Sequence, residues 1–316
     1  MMARIFTITA NTAIDHVIEV EHLGQSDNLQ ARSSIEFAAG KGVNVAKTLD
    51  SLGCPVTALG FVGQDSLNLF KQLDSQYLKT RFIEVSGRTR TNLTLIDTAN
   101  QKELHIRTPG YCVTPEDQEK LIQQIKSLIH KDDIVLLSGS LPPGTSDDFY
   151  RQLIELCHLK SAITLLDTSG AALQHGIAAQ PYLIKPNRHE LAELANRPLM
   201  TETDYLSAAR SVIDQGVQWV VVSRGSKGII AISRTTATAI RLQPSPSTPL
   251  CSVGCGDTLL AGIAYAMLNQ YDPLETFCYG VACATANLTN IEPGRIDKEA
   301  VLHHLNRLTI DQLKPS

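Results

Sequence analysis

Short β-branched runs alternate with segments of helical period along most of this chain, and that order predicts a largely parallel sheet covered by helices. Strands are expected at 5–9, 56–62, 134–138, 163–166, 182–185 and 219–223, and helices at 43–52, 66–76, 115–130, 147–159 and 203–215. With 316 residues, 43% of them hydrophobic, the chain can bury a large core. Two regions break the order. Residues 16–37 and 91–107 alternate at strand period, as in Val17-Ile18-Glu19-Val20 and Leu93-Thr94-Leu95-Ile96, with no helix between the paired runs. They are expected to form a separate small sheet. Because they flank a glycine cluster at 40–44, that sheet reads as a lid over a substrate. After Ser233 follow a strand pair, a Pro/Ser loop at 244–249, a glycine turn and two or three C-terminal helices. The expected class is α/β: three αβα layers around a mostly parallel sheet, in one domain spanning 1–316, with a discontinuous β lid from about 12–38 and 88–110.

The most informative local stretch is Val253-Gly254-Cys255-Gly256-Asp257-Thr258-Leu259-Leu260-Ala261-Gly262, a tight turn that opens into an apolar helix. Amides at a helix start are unpaired and carry the positive end of the macrodipole, so they attract phosphate oxygens without a basic side chain. Asp257 is out of place in such a nest. A carboxylate beside phosphates costs electrostatic energy, which suggests a base that takes a proton from an attacking hydroxyl. The competing interpretation is an acidic first-turn residue favoured by the dipole.

Other glycine-loop chemistries fail. A dinucleotide fingerprint needs a glycine where Leu259 stands, and Gly-Lys-Ser/Thr of a Walker loop occurs nowhere. In Gly40-Lys41-Gly42-Val43-Asn44, Gly42 follows the lysine and Ile35 occupies the first glycine's place. A net charge of −4 without a basic run argues against nucleic acid as a partner. Seven cysteines with no CxxC suggest free thiols in a reducing compartment, and no apolar run approaches the roughly 18 residues of a membrane span. The expectation is a cytoplasmic protein that binds small molecules.

Taken together, these motifs resemble the PfkB (ribokinase-like) carbohydrate kinases, and within them the phosphohexose branch. Gly254-Cys255-Gly256-Asp257 is similar to the family's Gly-Ala-Gly-Asp, and Gly40-Lys41-Gly42-Val43-Asn44 to its Gly-Lys-Gly-x-Asn. Between them, 138–144 (SGSLPPG), 166–170 (LDTSG), 184–190 (IKPNRHE) and 222–225 (VSRG) match branch motifs in order. The similarity runs from about Thr7 to Gly294.

The resemblance implies a ribokinase-like fold and phosphoryl transfer from ATP with Mg²⁺, driven by positioning and electrostatics. It casts Asp257 as the base and Gly254, Cys255 and Gly256 as the anion hole. Asn187 and Glu190 would sit near Mg²⁺, although the same pair is nearly a capping box; Asp167 has a weaker claim to metal or phosphate. Lys185, Ser223, Gly225, Gly228 and Asn287 fall to the nucleotide, with Asn287 on the adenine side. Asp15, in a segment similar to Asn-Pro-Ala-Ile-Asp but lacking the proline, would bind sugar hydroxyls with Gly40, Lys41, Gly42, Asn44, Asn92 and Ser140. Arg90 matches the arginine that holds the substrate's own phosphate, with Arg88, Arg107 and Lys41 assisting.

Three departures stand out. Gln30 replaces a usual basic residue, although Arg32 is close by; Arg224 is bulky for a nucleotide loop; and 105–110 (HIRTPG) lacks the Asn-Glu-Pro-Gly-Pro form. The implied acceptor is a phosphohexose: fructose 1-phosphate first, fructose 6-phosphate or tagatose 6-phosphate next. The alternatives are a kinase of free sugars or nucleosides, and a catalytically idle sugar-phosphate or nucleotide sensor. A homodimer through the lid is expected, because exposed edge strands need cover.

Overall fold

The computed structural model describes residues 3–23, 28–100, 102–242, 253–290 and 292–313, so the expected Pro/Ser loop at 244–249 lies outside the described residues. The first part of the chain gives β1 (Ile5–Thr9), β2 (Ala13–Val20), β3 (Ser33–Ala39), α1 (Lys41–Ser51), β4 (Val56–Gly63), α2 (Leu67–Lys71), β5 (Leu78–Val85), β6 (Arg90–Asp97) and β7 (Lys102–Arg107). The middle gives α3 (Pro115–Leu128), β8 (Ile134–Ser138), α4 (Phe149–Leu159), β9 (Ile163–Asp167), α5 (Gly170–Ala178), β10 (Leu183–Ile184), α6 (Arg188–Leu194), α7 (Glu202–Ile213) and β11 (Trp219–Ser223). The remainder is β12 (Ile229–Ile232), β13 (Ala237–Leu242), α8 (Cys255–Leu268), α9 (Pro273–Asn287), α10 (Lys298–Leu305) and β14 (Leu308–Gln312).

Ten strands form one sheet in the order β14-β13-β12-β11-β10-β9-β8-β1-β4-β5. From β5 to β11 every pairing is parallel, and β12, β13 and β14 extend the sheet antiparallel. Alternation along each strand sends side chains to two cores. Phe6, Ile8, Leu59 and Phe61 meet Leu121, Leu153 and other residues of α3, α4, α5 and α7 on one face. Ile5, Val56, Ala58 and Val62 meet Val43, Leu49, Leu260 and other residues of α1, α2, α8 and α9 on the opposite face. This is the mixed α/β architecture expected from the alternation. A separate four-stranded sheet, in the order β3-β2-β6-β7, is built from the two segments that break it.

Several boundaries differ from expectation, each for a local reason. The helix expected at 66–76 stops at Lys71, because Asp74 and Ser75 take the amides of residues 77, 78 and 80 onto their own side chains. The strand expected at 182–185 shrinks to Leu183–Ile184 ahead of Pro186, which has no N–H to give a ladder. β5 was not expected, because its outward positions carry Lys79, Arg81 and Glu84, as an edge strand's do. α5 and α6, also unexpected, are nine and seven residues long. Among the described residues no helix is long and apolar enough to cross a membrane.

Candidate active site

A cleft of about 630 Å³ opens between the small sheet and the carboxyl ends of the central strands. It lies where strand order reverses, since β1 leads to β4 on one side while β8 leads to β9 on the other. Helices diverge at such a point and leave a crevice. Strand ends deliver Asp167, Lys185 and Ser223, the α1 and α8 starts deliver Lys41 and Asp257, and the small sheet delivers Asp15, Asn92 and Arg90.

Gly254 caps α8 in the left-handed conformation (φ 82°), the turn for which glycine is suited. One turn inside, Asp257 is 6% exposed, and Asn44 Nδ2 donates to its Oδ2 at 2.8 Å. Burial and the nearby Asp167 carboxylate raise the Asp257 carboxyl to about 7, against the pull of Lys41, the Asn44 hydrogen bond and Lys185. A carboxyl that titrates near neutrality takes up and returns a proton with little driving force lost. Asn44 Oδ1 is buried without a partner, so a donor such as a sugar hydroxyl is the natural complement.

Asp167 is 1% exposed and is paired on both oxygens, with Lys41 Nζ at 3.0 Å and Lys185 Nζ at 3.2 Å. Burial alone raises its carboxyl, but the two ammonium groups outweigh this and hold it below the ordinary range. Burial would lower Lys41, and Asp167 and Asp257 reverse the effect and raise it. Lys185 reaches the start of α8 because Gly256 has no side chain; a Cβ there would stand 3.1 Å from Nζ. Two cations and a helix N-terminus thus converge beside the proposed base, as an incoming phosphate requires.

On the opposite wall, Asp15 and Asn92 face each other in the parallel β2–β6 register, and Asn92 Nδ2 donates to Asp15 Oδ1 at 2.8 Å. Burial raises the Asp15 carboxyl, opposed by this bond and by Lys47, Arg90 and Arg107. Arg90 is held by the carbonyls of Thr12 (Nε, 3.3 Å) and Asn11 (Nη2, 3.1 Å), which aim a half-buried guanidinium along the cleft wall. Ser140 lines the cleft and takes a hydrogen bond from Asn11 Nδ2 at 3.1 Å. Arg107, opposite Asn92 on β7, adds a further cation.

Asn187 and Glu190 line the cleft and form a full capping box at α6: Asn187 Oδ1 accepts from the amides of His189 and Glu190, and Glu190 Oε2 accepts from the Asn187 amide. Capping fixes both side chains but leaves Asn187 Nδ2 and Glu190 Oε1 uncommitted to the box. Ser223 also lines the cleft, beside Asn187.

Six expected site residues stay out of the lining, among them Arg88, which is exposed just before β6. Gly42 packs against Thr9 and Ile8 of β1, which lets α1 lie close to the sheet. Cys255 turns its thiol toward Asn287, whose Nδ2 is 3.5 Å from Sγ. Gly225 and Gly228 shape the turn after β11 at positive φ. Asn287, expected at the adenine, is fully buried: Nδ2 donates to the Val253 carbonyl at 2.8 Å and Oδ1 accepts from the Gly294 amide at 2.9 Å. It is a strut for the α8 turn. Arg224 folds back onto Glu202 (2.9 Å) and the Lys227 carbonyl, so its bulk never enters the cleft.

Sequence reasoning missed the turn at 292–294. Pro293 lines the cleft, and the Gly294 carbonyl accepts from Thr48 Oγ1 at 2.9 Å, which ties the turn to α1. The available signal was Gly294 itself, at φ 86° against the Asn44 backbone.

Comparison with known proteins agrees with this geometry. The family model described as pfkB family carbohydrate kinase matches residues 5–299. The 1-phosphofructokinase of Vibrio cholerae is 32% identical over 100% of this chain and 99% of its own. Among solved structures, phosphofructokinase-2 from Escherichia coli in complex with potassium has a TM-score of 0.89 at 26% identity, covering 96% of this chain and 99% of that one. Ribokinase from Arabidopsis thaliana, at TM-score 0.75 and 20% identity over 96% of this chain and 99% of that one, shares the fold. The chain belongs to the pfkB family of carbohydrate kinases.

Proposed function

We propose that this kinase transfers the γ-phosphoryl group of ATP to a hydroxyl of fructose 1-phosphate, with fructose 6-phosphate and tagatose 6-phosphate as the next acceptors. The observation that carries the reading is Asp257, a buried carboxyl raised to about 7 and bonded to Asn44, across the cleft from Asp15 and Arg90. In this reading Asp15, Asn44 and Asn92 hold the sugar hydroxyls, and Arg90, with Ser140 and Arg107, takes the existing phosphate by charge-assisted bonds. Asp257 removes the proton of the attacking hydroxyl. Lys41, Lys185 and the turn amides of Gly254–Gly256 neutralise charge that grows on the transferring group. Asp167 acts by orienting the two lysines. The β2, β3, β6 and β7 sheet serves as the lid that excludes water.

Among the described residues no cluster of three His, Cys, Asp or Glu side chains can hold a metal alone. The donor set fits Mg²⁺ only as a partner of ATP, because hard oxygen donors are few and Asp167 is committed to lysines. Glu190 and Asn187 would hold it, directly or through water. When bound it would neutralise phosphate charge. Leu104 and Ile106, on one face of the lid, are 48% and 44% exposed, which supports a homodimer through that sheet, and the free cysteines support a reducing, cytoplasmic location.

A coupled ADP-release screen tests the reading with fructose 1-phosphate, fructose 6-phosphate, tagatose 6-phosphate, fructose and ribose. The highest kcat/KM is expected for fructose 1-phosphate. Turnover confined to fructose or ribose would replace it with a free-sugar kinase, and saturable ATP binding without any ADP release would make the protein a sensor.

A further inference from the structure

Lys47, the second lysine of α1, has a side chain only 1% exposed, which is unusual for an ammonium. Its Nζ lies 2.9 Å from Glu292 Oε1 and 5.9 Å from the centre of the Phe37 ring. Truncating one partner of a buried pair is costly, whereas replacing both is often neutral, so stability alone gives little reason to keep this lysine. Phe37 pairs with Asp15 in the β2–β3 register, and both line the cleft.

We propose that Lys47 is a positioning residue for the acceptor sugar: its ammonium holds the Phe37 wall by a cation–π contact and supplies a dry positive charge behind Asp15. The inference rests on the reading of this cleft as a sugar-phosphate site. Asp15 is the stronger acceptor of hydrogen bonds from two hydroxyls when it is an anion, and burial works against that form. Asn92 on β6 hydrogen-bonds it, and the cations whose charge acts on it are Arg90 on β6, Arg107 on β7 and Lys47 on α1. Arg90 is bound to two backbone carbonyls, and Arg107 stands on the exposed strand β7, where water screens it. Lys47 is the cation that water does not reach. Burial lowers Lys47 itself, Glu292 and Asp15 oppose that, and Arg295 reinforces it while being paired with Asp50 at 2.6 Å. The lysine therefore needs both carboxylates.

The test compares Lys47→Met, Lys47→Arg and the double variant Lys47→Met/Glu292→Gln with the unsubstituted enzyme, by Tm, by KM for fructose 1-phosphate and for ATP, and by the pH profile of kcat/KM. The single Met variant is expected to lose stability, because it leaves Glu292 without its buried partner. In the double variant Tm should return to near the starting value, while acceptor KM stays about tenfold raised, ATP KM holds within about twofold, and an additional acid limb from Asp15 moves up in pH. Lys47→Arg should recover acceptor KM. If the double variant regains both Tm and acceptor KM, or if both KM values rise together, the proposal is overturned. No turnover of any sugar phosphate by the unsubstituted enzyme overturns the reading of the cleft, and this inference with it; turnover without the split overturns the inference alone.

Discussion

Asn44 and Asp257 are separated by 213 residues, yet the Asn44 amide donates to Asp257 Oδ2 at 2.8 Å at the junction of α1 and α8. The bond fixes the carboxylate at the helix start without neutralising it. Replacing Asp257 with Asn keeps an acceptor for Asn44 and removes only the base. Asp257→Asn is therefore expected to lower kcat by at least about 10³-fold, at the upper part of the range for general-base catalysis, with the fold retained. Steady-state kinetics and circular dichroism together check this.

The pH dependence follows from the same group. The base works unprotonated, so kcat/KM is expected to rise with pH through about 7 and flatten above it. Asp167→Asn removes a like charge and releases Lys41 and Lys185, so this limb should move to lower pH. A limb that stays in place would show that Asp257 does not set it.

Stability should run in the opposite direction. A carboxyl raised in the folded state binds its proton more tightly there, so its contribution is fully present below its ordinary value of 3.8 and is lost as pH rises through about 7. Asp257→Asn removes that loss. The variant is expected to be more stable than the parent at pH 8, by at most about 4 kcal/mol, with the gap closing toward pH 4. Urea titrations at the two pH values measure it.

Asn287→Ala separates a strut from a nucleotide contact. The substitution leaves the Val253 carbonyl and the Gly294 amide without their side-chain partner, for a stability cost of about 2–4 kcal/mol. Tm should fall, and the ATP and acceptor KM values should change together. A selective rise in ATP KM at unchanged Tm would return Asn287 to the adenine.

Arg90→Ala is expected to reduce kcat/KM for fructose 1-phosphate by at least about 10²-fold, the scale of a lost charge-assisted phosphate contact, with ATP KM little changed. Unchanged kinetics would remove the arginine from phosphate recognition and favour a free-sugar acceptor.

Much of this protein is local, and local features were legible. The β–α alternation gave the sheet and most of its helices, because side-chain period is set by backbone geometry. The turn at Gly254–Asp257 and the capping box at Asn187–Glu190 depend on neighbours within four residues, so their conformations could be inferred from order alone. β5 was not legible because an edge strand carries charges on its open side, and the truncation of α2 depended on two polar side chains competing for amides.

What the chain order left open was which distant groups meet. Asp15 reaches Asn92 through a strand register, Asn44 reaches Asp257 through the packing of α1 on α8, and Lys41 and Lys185 converge on Asp167 from two different elements. The sequence specified the chemical groups and the local turns that present them. Tertiary packing decided their burial and their partners: it seats Asn287 between the Val253 carbonyl and the Gly294 amide, and it raises the Asp257 carboxyl from the ordinary 3.8 to about 7. The physical reason is that desolvation and charge coupling act through space over a few ångströms, a distance that separation along the chain does not encode.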